Sequence, residues 1–523
     1  MKLIAVRSIA NNFKINGVNH FSMRIILAIL FNIGTIFTLS AQQPLYQERY
    51  RPSFHFSTAR NWINDPNGLI YLDGEYHMFY QYNPYANVWG HMHWGHAVSK
   101  DLVHWKELPV AIKEEGEVMI FSGSAVIDEK NSSGFAKKKG DIPMVAIYTG
   151  HIEGKNQSQH LAYSLDKGRT FTKYSGNPVI DLGLKDFRDP KVFWYAPENK
   201  WVMAAVLPID KKIQFYSSKN LKEWILMSSF GPAGDTTGIW ECPDLFRVPV
   251  AGSPDKYKWV LMHSPAPYMQ YFVGEFDGTT FTNESPSSVI YRPDYGPDYY
   301  AAIVFNNLPA NSPPVSIGWI NNWGYAKEIP VSPWKGAMSL PRELQVKKSG
   351  SEWILVQQPV KSVNQLLSGE KSWKNISTRE KWSPAQTASG AYTAEIIIQR
   401  NQQNKVIIDI AGGALSLTYD DAASIFILKR GGNNAFQNAE FMALSDYTAP
   451  VKRGGDRLTI KIFFDQSIAE VFINDGEAVM TAQVFPEKDN QPMTISSSNG
   501  AAIPSIRVWN VQSIWTGKMQ AAK

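Results

Sequence analysis

The chain has 523 residues and a net charge of +5, with 19% charged and 13% aromatic residues, 37 glycines and 31 prolines. This length exceeds one ordinary core, so two globular domains are expected. Acidic and basic residues are interspersed, which argues against a nucleic-acid-binding protein. Frequent turn residues favour short strands over long surface helices.

The N-terminal segment predicts export. After Met23, one arginine precedes a mainly apolar run at 25–39, and small residues follow up to Ala41. This order is typical of a secretory signal peptide, which we place at 1–41. The run is short for a membrane span, which needs about 20 apolar residues, and no cysteine follows for a lipid anchor. We therefore expect a secreted or periplasmic protein with no membrane attachment after signal removal.

Four similar segments predict a repeated hairpin. Each has a small residue, a polar turn and an aromatic residue six or seven positions on, and these aromatics, Trp105, Phe171, Trp224 and Phe281, are 66, 53 and 57 residues apart. A fifth unit is predicted at 315–340. Repeats of this length, each made of a few strands, are typical of the blades of a β-propeller. Similar hairpins occur in other all-β proteins, but four in register favour a propeller.

After about residue 345 the pattern changes. One predicted strand places four alternating apolar residues on one face: Leu458, Ile460, Ile462 and Phe464. The sequence Asn-Asp-Gly at 474–476 is a strong hairpin signal. Several such strands without helical periodicity predict a β-sandwich, which we place at 381–520. The polar segment 346–380 is expected to be the linker between the two domains.

Three short acidic motifs carry the functional signal: WINDPNG at 62–68, FRDP at 187–190 and WECPD at 240–244. In each, a proline one or two positions after the acid restricts the backbone. A single Asp-Pro is usually structural, but three acids at the edges of different blades would converge on one central channel. Three such acids are the equipment of a glycosidase. The sequence therefore predicts Asp65, Asp189 and Glu241 as catalytic residues.

These motifs, in this order, resemble the signatures of glycoside hydrolase family 32, which contains invertases, inulinases and levanases. Further similar segments are FYQYNP at 79–84, HWGHA at 93–97, FSGS at 121–124, DYYAA at 298–302, MSLPREL at 338–344 and SIAEVFINDG at 467–476. The resemblance covers essentially the whole mature chain. Two departures are Ile63 in place of the common methionine and Phe121 where plant members often carry tryptophan. The resemblance implies an all-β fold, a five-bladed β-propeller at 45–345 followed by a C-terminal β-sandwich, and a retaining reaction.

The resemblance also implies a role for each acid. Asp65 would be the nucleophile, Glu241 the acid/base, and Asp189 a carboxylate that binds fructosyl hydroxyls without bonding covalently to the sugar. The implied sugar-binding residues are Trp62, Asn64, Gln81, Trp89, Phe121, Ser122, Arg188 and Trp319. Trp323 points the same way as Trp319 on an alternating strand, so the choice between them stays open. We expect Ile239 and Trp240 to surround Glu241 with apolar side chains.

Two sets of residues invite other interpretations. His91, His93 and His96 cluster around Trp94, and alternating His91 and His93 would share a strand face as zinc ligands could. The family resemblance gives this segment no metal role, so structural hydrogen bonding is favoured, and no metal or organic cofactor is expected. Cys242, the single cysteine, cannot form an internal disulfide and is expected to be unpaired and buried.

The favoured hypothesis is an exported exo-β-fructosidase that releases fructose from levan, inulin or sucrose. A transfructosylase or an endo-levanase would use the same covalent intermediate. A non-catalytic fructan-binding protein would have no need for a placed general acid. The expected partner is a fructan or fructo-oligosaccharide, not nucleic acid or membrane. The preference for levan or inulin depends on outer loops that a single sequence does not define. Exo or endo action depends on whether the central funnel is a blind pocket or an open cleft.

Overall fold

The computed structural model describes residues 45–286, 289–384, 390–400, 404–443, 446–452 and 454–515. The predicted signal peptide at 1–41 lies outside these residues. The all-β prediction is confirmed, because the described chain contains 33 strands and one short α-helix, α1 (Ala439–Ala443). No helix in these ranges is long and apolar enough to cross a membrane.

Residues 61–359 form five groups of strands. The first group is β1 (Asn61–Leu72), β2 (Glu75–Asn83), β3 (His93–Ser99) and β4 (Trp105–Ile112), and the second is β5 (Val118–Ile127), β6 (Met144–Ile152), β7 (Asn156–Ser164) and β8 (Thr172–Lys173). The third is β9 (Arg188–Tyr195), β10 (Lys200–Leu207), β11 (Lys212–Ser218) and β12 (Ile225–Phe230). The fourth is β13 (Trp240–Val250), β14 (Ser253–Pro265), β15 (Gln270–Phe276) and β16 (Phe281–Asn283). The fifth is β17 (Tyr300–Val304), β18 (Val315–Ile320), β19 (Trp334–Lys335), β20 (Ala337–Met338), β21 (Arg342–Ser349) and β22 (Glu352–Pro359).

The five groups follow one another around a ring. The first strands of the groups, β1, β5, β9, β13 and β17, contact one another in this order, and β17 contacts β1 again. In addition, β19 pairs in parallel with the start of β1, which joins the fifth group to the first. The four repeated segments of the sequence are the connections from the third to the fourth strand of the first four groups, and these strands pair antiparallel. The predicted hairpins are therefore confirmed.

The C-terminal residues form two antiparallel sheets. One has six strands in the order β23-β33-β24-β29-β30-β31, namely β23 (Leu367–Ser377), β24 (Ala391–Gln399), β29 (Arg457–Asp465), β30 (Ile468–Ile473), β31 (Ala478–Gln483) and β33 (Ala502–Val511). The other has five in the order β28-β27-β26-β25-β32, namely β25 (Lys405–Ile410), β26 (Leu415–Asp420), β27 (Ile425–Arg430), β28 (Asp446–Pro450) and β32 (Thr494–Ser497). Both sheets contribute to one buried core, which contains the four alternating residues predicted on β29.

The structure corrects the expectation of a linker at 346–380. Most of this segment is strand, since β21 continues to Ser349, β22 pairs with β21, and β23 pairs with β33 in the six-stranded sheet. β23 is an edge strand whose residues are largely exposed. A polar, exposed edge strand lacks the apolar alternation that identifies a half-buried strand. Its sequence therefore resembles a loop.

Buried charges join the two parts of the chain, which belong to one compact unit from Glu48 onward. His55, fully buried near the N-terminal end of this unit, contacts Asp465 (2.8 Å) and Glu470 (3.0 Å) through its two ring nitrogens. Burial alone would lower the pKa of His55, but the hydrogen bonds and charges of Asp465 and Glu470 raise it to about 9. The imidazole is therefore protonated at neutral pH and pairs with two carboxylates.

This pair makes stability depend on pH. An unfolded histidine has a pKa of about 6.5, so the stabilising contribution of His55 is fully present below pH ~6.5 and is lost as pH rises through about 9. We predict that the free energy of unfolding falls by on the order of 3 kcal/mol from pH 6.5 to pH 10 through this group. His55→Gln should remove that part of the slope in urea unfolding measured across this range.

The control is His104→Gln, which removes a histidine from a surface pair with Asp101. This variant should keep the slope of the unmodified protein. An unchanged slope in His55→Gln would contradict the assignment.

Candidate active site

Each of the five innermost strands carries a β-bulge near one end. At each bulge, two residues oppose a single residue of the neighbouring strand: Asn64 and Asp65, Phe121 and Ser122, Asp189 and Pro190, Cys242 and Pro243, and Ala301 and Ala302. Asp189, Cys242 and Ala301 have positive φ values of 60°, 49° and 52°. A bulge bends its strand and breaks the alternation of side chains. The bulges of β1, β5 and β9 place side chains in one cavity, and Glu241, which precedes the bulge of β13, lines the same cavity.

This cavity has a volume of about 510 Å³. Nine of the eleven predicted site residues line it: Asn64, Asp65, Gln81, Trp89, Phe121, Ser122, Arg188, Asp189 and Glu241. The three predicted catalytic acids, which are 124 and 52 positions apart in the sequence (65 to 189 to 241), thus meet in one place. The other two predicted residues, Trp62 and Trp319, do not line the cavity.

Asp65 lies in the first bulge and is nearly buried. Its Oδ1 accepts a hydrogen bond from Asn64 Nδ2 (2.9 Å), and its Oδ2 accepts one from Ser122 Oγ (2.7 Å). Burial raises the pKa of Asp65, and the charge of Glu241 adds to this, whereas the bonds from Asn64 and Ser122 oppose it. Two donors therefore hold this carboxylate in one orientation and favour its ionised form.

Asp189 and Cys242 meet between the third and fourth groups of strands. Asp189 Oδ2 accepts a hydrogen bond from the backbone N–H of Cys242 (2.9 Å) and lies 3.8 Å from Arg188 Nε. Burial raises the pKa of Asp189 to about 7, with Arg188 opposing the shift and Glu241 and Asp65 adding to it. The Cys242 thiol contacts Asp65 Oδ2 at 3.4 Å, and the prediction of an unpaired, buried cysteine is confirmed.

Glu241 is held by two donors. Arg188 Nη2 and Nε donate to its Oε1 (3.0 and 3.2 Å), and the Tyr300 hydroxyl donates to its Oε2. The prediction that Trp240 surrounds Glu241 with apolar surface is wrong. Adjacent strand residues point to opposite faces, and the Trp240 indole donates to the Asp235 carbonyl (2.9 Å) away from the cavity. Ile239 lines the cavity, as expected.

The aromatic wall differs from the prediction at two positions. Trp62 and Trp319 are fully buried beneath the cavity, and Trp323 lines it instead. Trp323 lies against both rings, at 6.1 Å and 27° from Trp62 and at 4.8 Å from Trp319. β18 ends at Ile320, so strand alternation does not extend to Trp323. Trp62 also donates to Asn64 Oδ1 (2.8 Å), which orients the amide that holds Asp65.

Sequence reasoning missed five lining residues: His151, Glu153, Gln157, Ala266 and Lys327. Gln157 Oε1 accepts from Arg188 Nη1 (3.2 Å) and so fixes the guanidinium that holds Glu241. The His151 ring stacks on Phe121 at 4.2 Å. For His151, Glu153 and Gln157 the available signal was their place on the β6–β7 hairpin, which pairs with β5, the strand that carries the FSGS motif.

The predicted histidine cluster separates in the structure. His91 is exposed and contacts Glu114 (2.9 Å), whereas His93 Nδ1 contacts the His91 carbonyl (2.7 Å). His96 contacts the buried His77 (3.1 Å). These partners support structural hydrogen bonding at all three histidines. Their different directions disfavour the zinc interpretation.

The arrangement suits cleavage of an acetal linked to a polyhydroxylated ligand. Two carboxylates of different surroundings, Asp65 and Glu241, share one cavity, as a nucleophile and a proton donor must. Gln81 Nε2 is buried with no partner within the described residues, so a ligand hydroxyl could accept its hydrogen bond. The aromatic rings of Trp89, Phe121 and Trp323 supply apolar faces for a sugar ring.

Comparisons with known proteins identify the family. The model described as "Glycosyl hydrolases family 32 N-terminal domain" matches residues 55–359, and "Glycosyl hydrolases family 32 C terminal" matches residues 355–510. A "Levanase" of Bacillus subtilis is 44% identical over 499 residues, which cover 91% of this chain and 72% of that protein. An "Extracellular exo-inulinase" of Aspergillus niger is 38% identical over 520 residues, covering 90% and 96%.

Solved structures agree with this result. The crystal structure of exo-inulinase from Aspergillus awamori has a TM-score of 0.83 and 35% identity, covering 90% of this chain and 100% of that one. A β-fructofuranosidase from Schwanniomyces occidentalis, complexed with fructosyl-erythritol, has a TM-score of 0.81 and 31% identity, covering 90% and 99%. The chain therefore belongs to glycoside hydrolase family 32.

Because burial raises the pKa of Asp189, we expect its ionised carboxylate to destabilise the folded protein. Because the folded pKa of about 7 exceeds the unfolded value of about 3.9, the contribution of the protonated carboxyl is fully present below pH ~3.9 and is lost as pH rises through 7. We predict that Asp189→Asn, a neutral isostere, raises Tm at pH 8 by about 2 to 4 °C. Calorimetry should show this gain disappearing near pH 4.

A matched control is Asp186→Asn, which removes a more exposed carboxylate from the same Arg188 guanidinium. This variant should give no gain at pH 8. Equal gains for Asp189→Asn at pH 4 and pH 8 would contradict the electrostatic explanation.

Proposed function

We propose that this member of glycoside hydrolase family 32 is a retaining exo-β-fructosidase that releases terminal fructose from levan, inulin or sucrose. The observation that carries the proposal is the meeting of Asp65, Asp189 and Glu241 in one cavity. The relatives named levanase and exo-inulinase, and the solved complex with fructosyl-erythritol, support a fructosyl substrate. The relatives' description as extracellular supports a secreted or periplasmic location.

In the first proposed step, Asp65 attacks C2 of the terminal fructosyl unit. The bond from C2 to the glycosidic oxygen breaks, and Glu241 gives its proton to that oxygen, so a covalent fructosyl-enzyme forms. The bonds from Asn64 and Ser122 aim Asp65 and favour its ionised form against the effect of burial. Tyr300 and Arg188 hold the two oxygens of Glu241 in place.

In the second step, water gives a proton to Glu241 while its oxygen attacks C2. Fructose leaves with retained configuration, and Asp65 returns as a carboxylate. Asp189 lies beside both reacting acids and is proposed to bind fructosyl hydroxyls. The proposed sugar-binding residues are Asn64, Gln81, Ser122 and Arg188 as polar partners, with Trp89, Phe121 and Trp323 as walls. Trp62 and Trp319 support this wall from beneath.

We also propose that the five groups of strands are the blades of a five-bladed β-propeller, followed by a C-terminal β-sandwich. The closed order of contacts among the five innermost strands supports the propeller. The core shared by the two C-terminal sheets supports the sandwich. We propose a boundary near residue 360, which is supported by the end of β22 and by the overlap of the two family matches at 355–359.

The first test concerns the nucleophile. Asp65→Ala should reduce fructose release by several orders of magnitude, because no other group in the cavity replaces covalent attack. Product analysis on levan, inulin and sucrose measures this directly and gives the substrate preference. Glu153→Gln, at the cavity rim, is the control and should retain most activity. Near-normal fructose release by folded Asp65→Ala would overturn the assignment.

The second test concerns the acid/base. Glu241→Ala should lose activity on sucrose but keep the first step for an activated fructoside, whose leaving group needs little protonation. Hydrolysis of the intermediate should then be slow for want of a base. Added azide, which needs no base, should restore turnover and yield a fructosyl azide with retained configuration. Failure of azide to accelerate turnover in Glu241→Ala would show that another residue is the acid/base.

A further inference from the structure

One side of the cavity is supplied by the turn 321–328, which also contacts the C-terminal sheets. Trp323 and Lys327 of this turn line the cavity. Tyr325, between them, points the other way, into a buried apolar cluster that includes Phe441 and Phe485. Its ring lies 5.2 Å from that of Phe441 in α1. The same short turn therefore faces the candidate active site and the C-terminal part of the chain.

The turn is internally rigid. Asn322 Oδ1 accepts from the backbone of Gly324 (2.9 Å), and the Asn322 carbonyl accepts from the backbone of Ala326 (2.8 Å). Asn322 Nδ2 donates to the Pro297 carbonyl (2.9 Å). These bonds tie both sides of the turn to Asn322, so we expect a shift of Tyr325 to displace Trp323 as well.

Arg430, at the end of β27, holds Tyr325 from the C-terminal side. The guanidinium is fully buried, and its Nη2 donates to the Tyr325 hydroxyl (2.6 Å) and to Asp298 Oδ2 (2.5 Å). The Tyr325 hydroxyl in turn donates to Asp298 Oδ1. Arg430 is itself fixed through bonds to the carbonyls of Phe441 (3.0 Å) and Gln483 (3.1 Å). Among the described residues, the Tyr325 hydroxyl therefore has Arg430 as donor and Asp298 as acceptor.

On the cavity side, Trp323 rests on Trp62 and Trp319. At the far end of the turn, Asn438 Nδ2 donates to Glu328 Oε2 (2.7 Å). The position of Trp323 is therefore set between an aromatic cluster below the cavity and a C-terminal clamp, here defined as Arg430, Asn438 and Phe441.

We propose that Arg430 is a positioning residue for the reaction, which acts through Tyr325 to hold Trp323 and Lys327 against the sugar. The C-terminal sheets then complete the substrate site in addition to stabilising the fold. This inference rests on the proposed function. Displacing a group that binds substrate and transition state equally raises KM and leaves kcat unchanged, and lysine does not reproduce the planar fork of arginine.

The test uses Arg430→Lys and Tyr325→Phe in the full chain, with sucrose and inulin as substrates. Both variants should raise KM by about tenfold while kcat changes by less than about threefold, because binding is lost and the reacting acids are untouched. Tyr325→Phe keeps the ring in its cluster and removes only the hydroxyl, so it provides the test should Arg430→Lys not fold. KM values within twofold of the unmodified enzyme in both variants would overturn the inference.

A double-mutant cycle separates positioning from general damage. In a background that carries both Trp323→Ala and Lys327→Ala, Arg430→Lys should have little further effect on kcat/KM, because the two groups that it positions are gone. An equal loss of kcat/KM in both backgrounds would show that Arg430 does not act through Trp323 or Lys327.

The matched control is Arg342→Lys. Arg342 is equally buried and joins the same two parts through Asp294 and Glu470, but among the described residues it touches none that lines the cavity. This variant should lower Tm and leave KM unchanged, and a KM increase equal to that of Arg430→Lys would contradict the inference. If the unmodified enzyme released no fructose, the proposed function itself would fail, which is a distinct outcome.

Discussion

The candidate active site depends on the buried bonds that link the innermost strands of different groups. Lys191 Nζ, fully buried, donates to Asp244 Oδ2 (3.0 Å) and to the Val304 carbonyl (2.7 Å), which ties β9 to β13 and β17. Asn306 donates to carbonyls of β5 and β9, and Ser124 of β5 bonds the backbone of β9 on both sides of Lys191. Removing one member of a buried ion pair leaves an uncompensated charge and is strongly destabilising. Because Lys191 and Asp244 lie within three residues of Asp189 and Glu241, the same bonds that join the strands fix the separation of the acids.

The charged groups that line the cavity destabilise the folded protein and favour catalysis. The Arg188 guanidinium contacts three carboxylates, those of Asp186, Asp189 and Glu241. Burial raises the pKa of both Asp65 and Asp189. Cys242 contributes without adding charge, because burial and the nearby carboxylates raise the pKa of its thiol well above the ordinary value. The neutral S–H can donate to Asp65 Oδ2, and its backbone N–H serves Asp189. The positive φ of Cys242 gives both groups this reach. Strain and charge repulsion are thus concentrated where the reaction takes place, a pattern that natural proteins tolerate at functional sites.

The sequence predicted features that depend on local chemistry and missed those that depend on where an element ends. The three acidic motifs and the hairpins were readable because prolines, glycines and Asn-Asp turns impose particular backbone angles; at 474–476, all three residues have positive φ. Trp319 and Trp323 were not distinguished, because alternation holds only inside a strand and β18 stops between them. The prediction that Trp240 surrounds Glu241 is wrong for the opposite reason. Both residues lie within β13, and alternation places Trp240 on the face away from Glu241. The sequence predicts a linker at β23 because an exposed edge strand shows no alternation of apolar residues. Its pairing with β33, about 130 residues later, leaves no signal in the local sequence.

Two buried arginines define how the two parts of the chain meet. Arg342 bridges Asp294 and Glu470, and Arg430 bridges Asp298 and the turn at Tyr325. Such buried pairs add little net stability over apolar packing, because desolvation offsets much of their attraction. Their geometric demand is strict, however, since an arginine fork satisfies its partners in few orientations. A purely apolar contact would tolerate sliding of one part over the other, whereas these networks leave unpaired charges in any shifted arrangement. One of the two networks ends at the turn that carries Trp323, so the fit between the parts also determines the shape of the cavity.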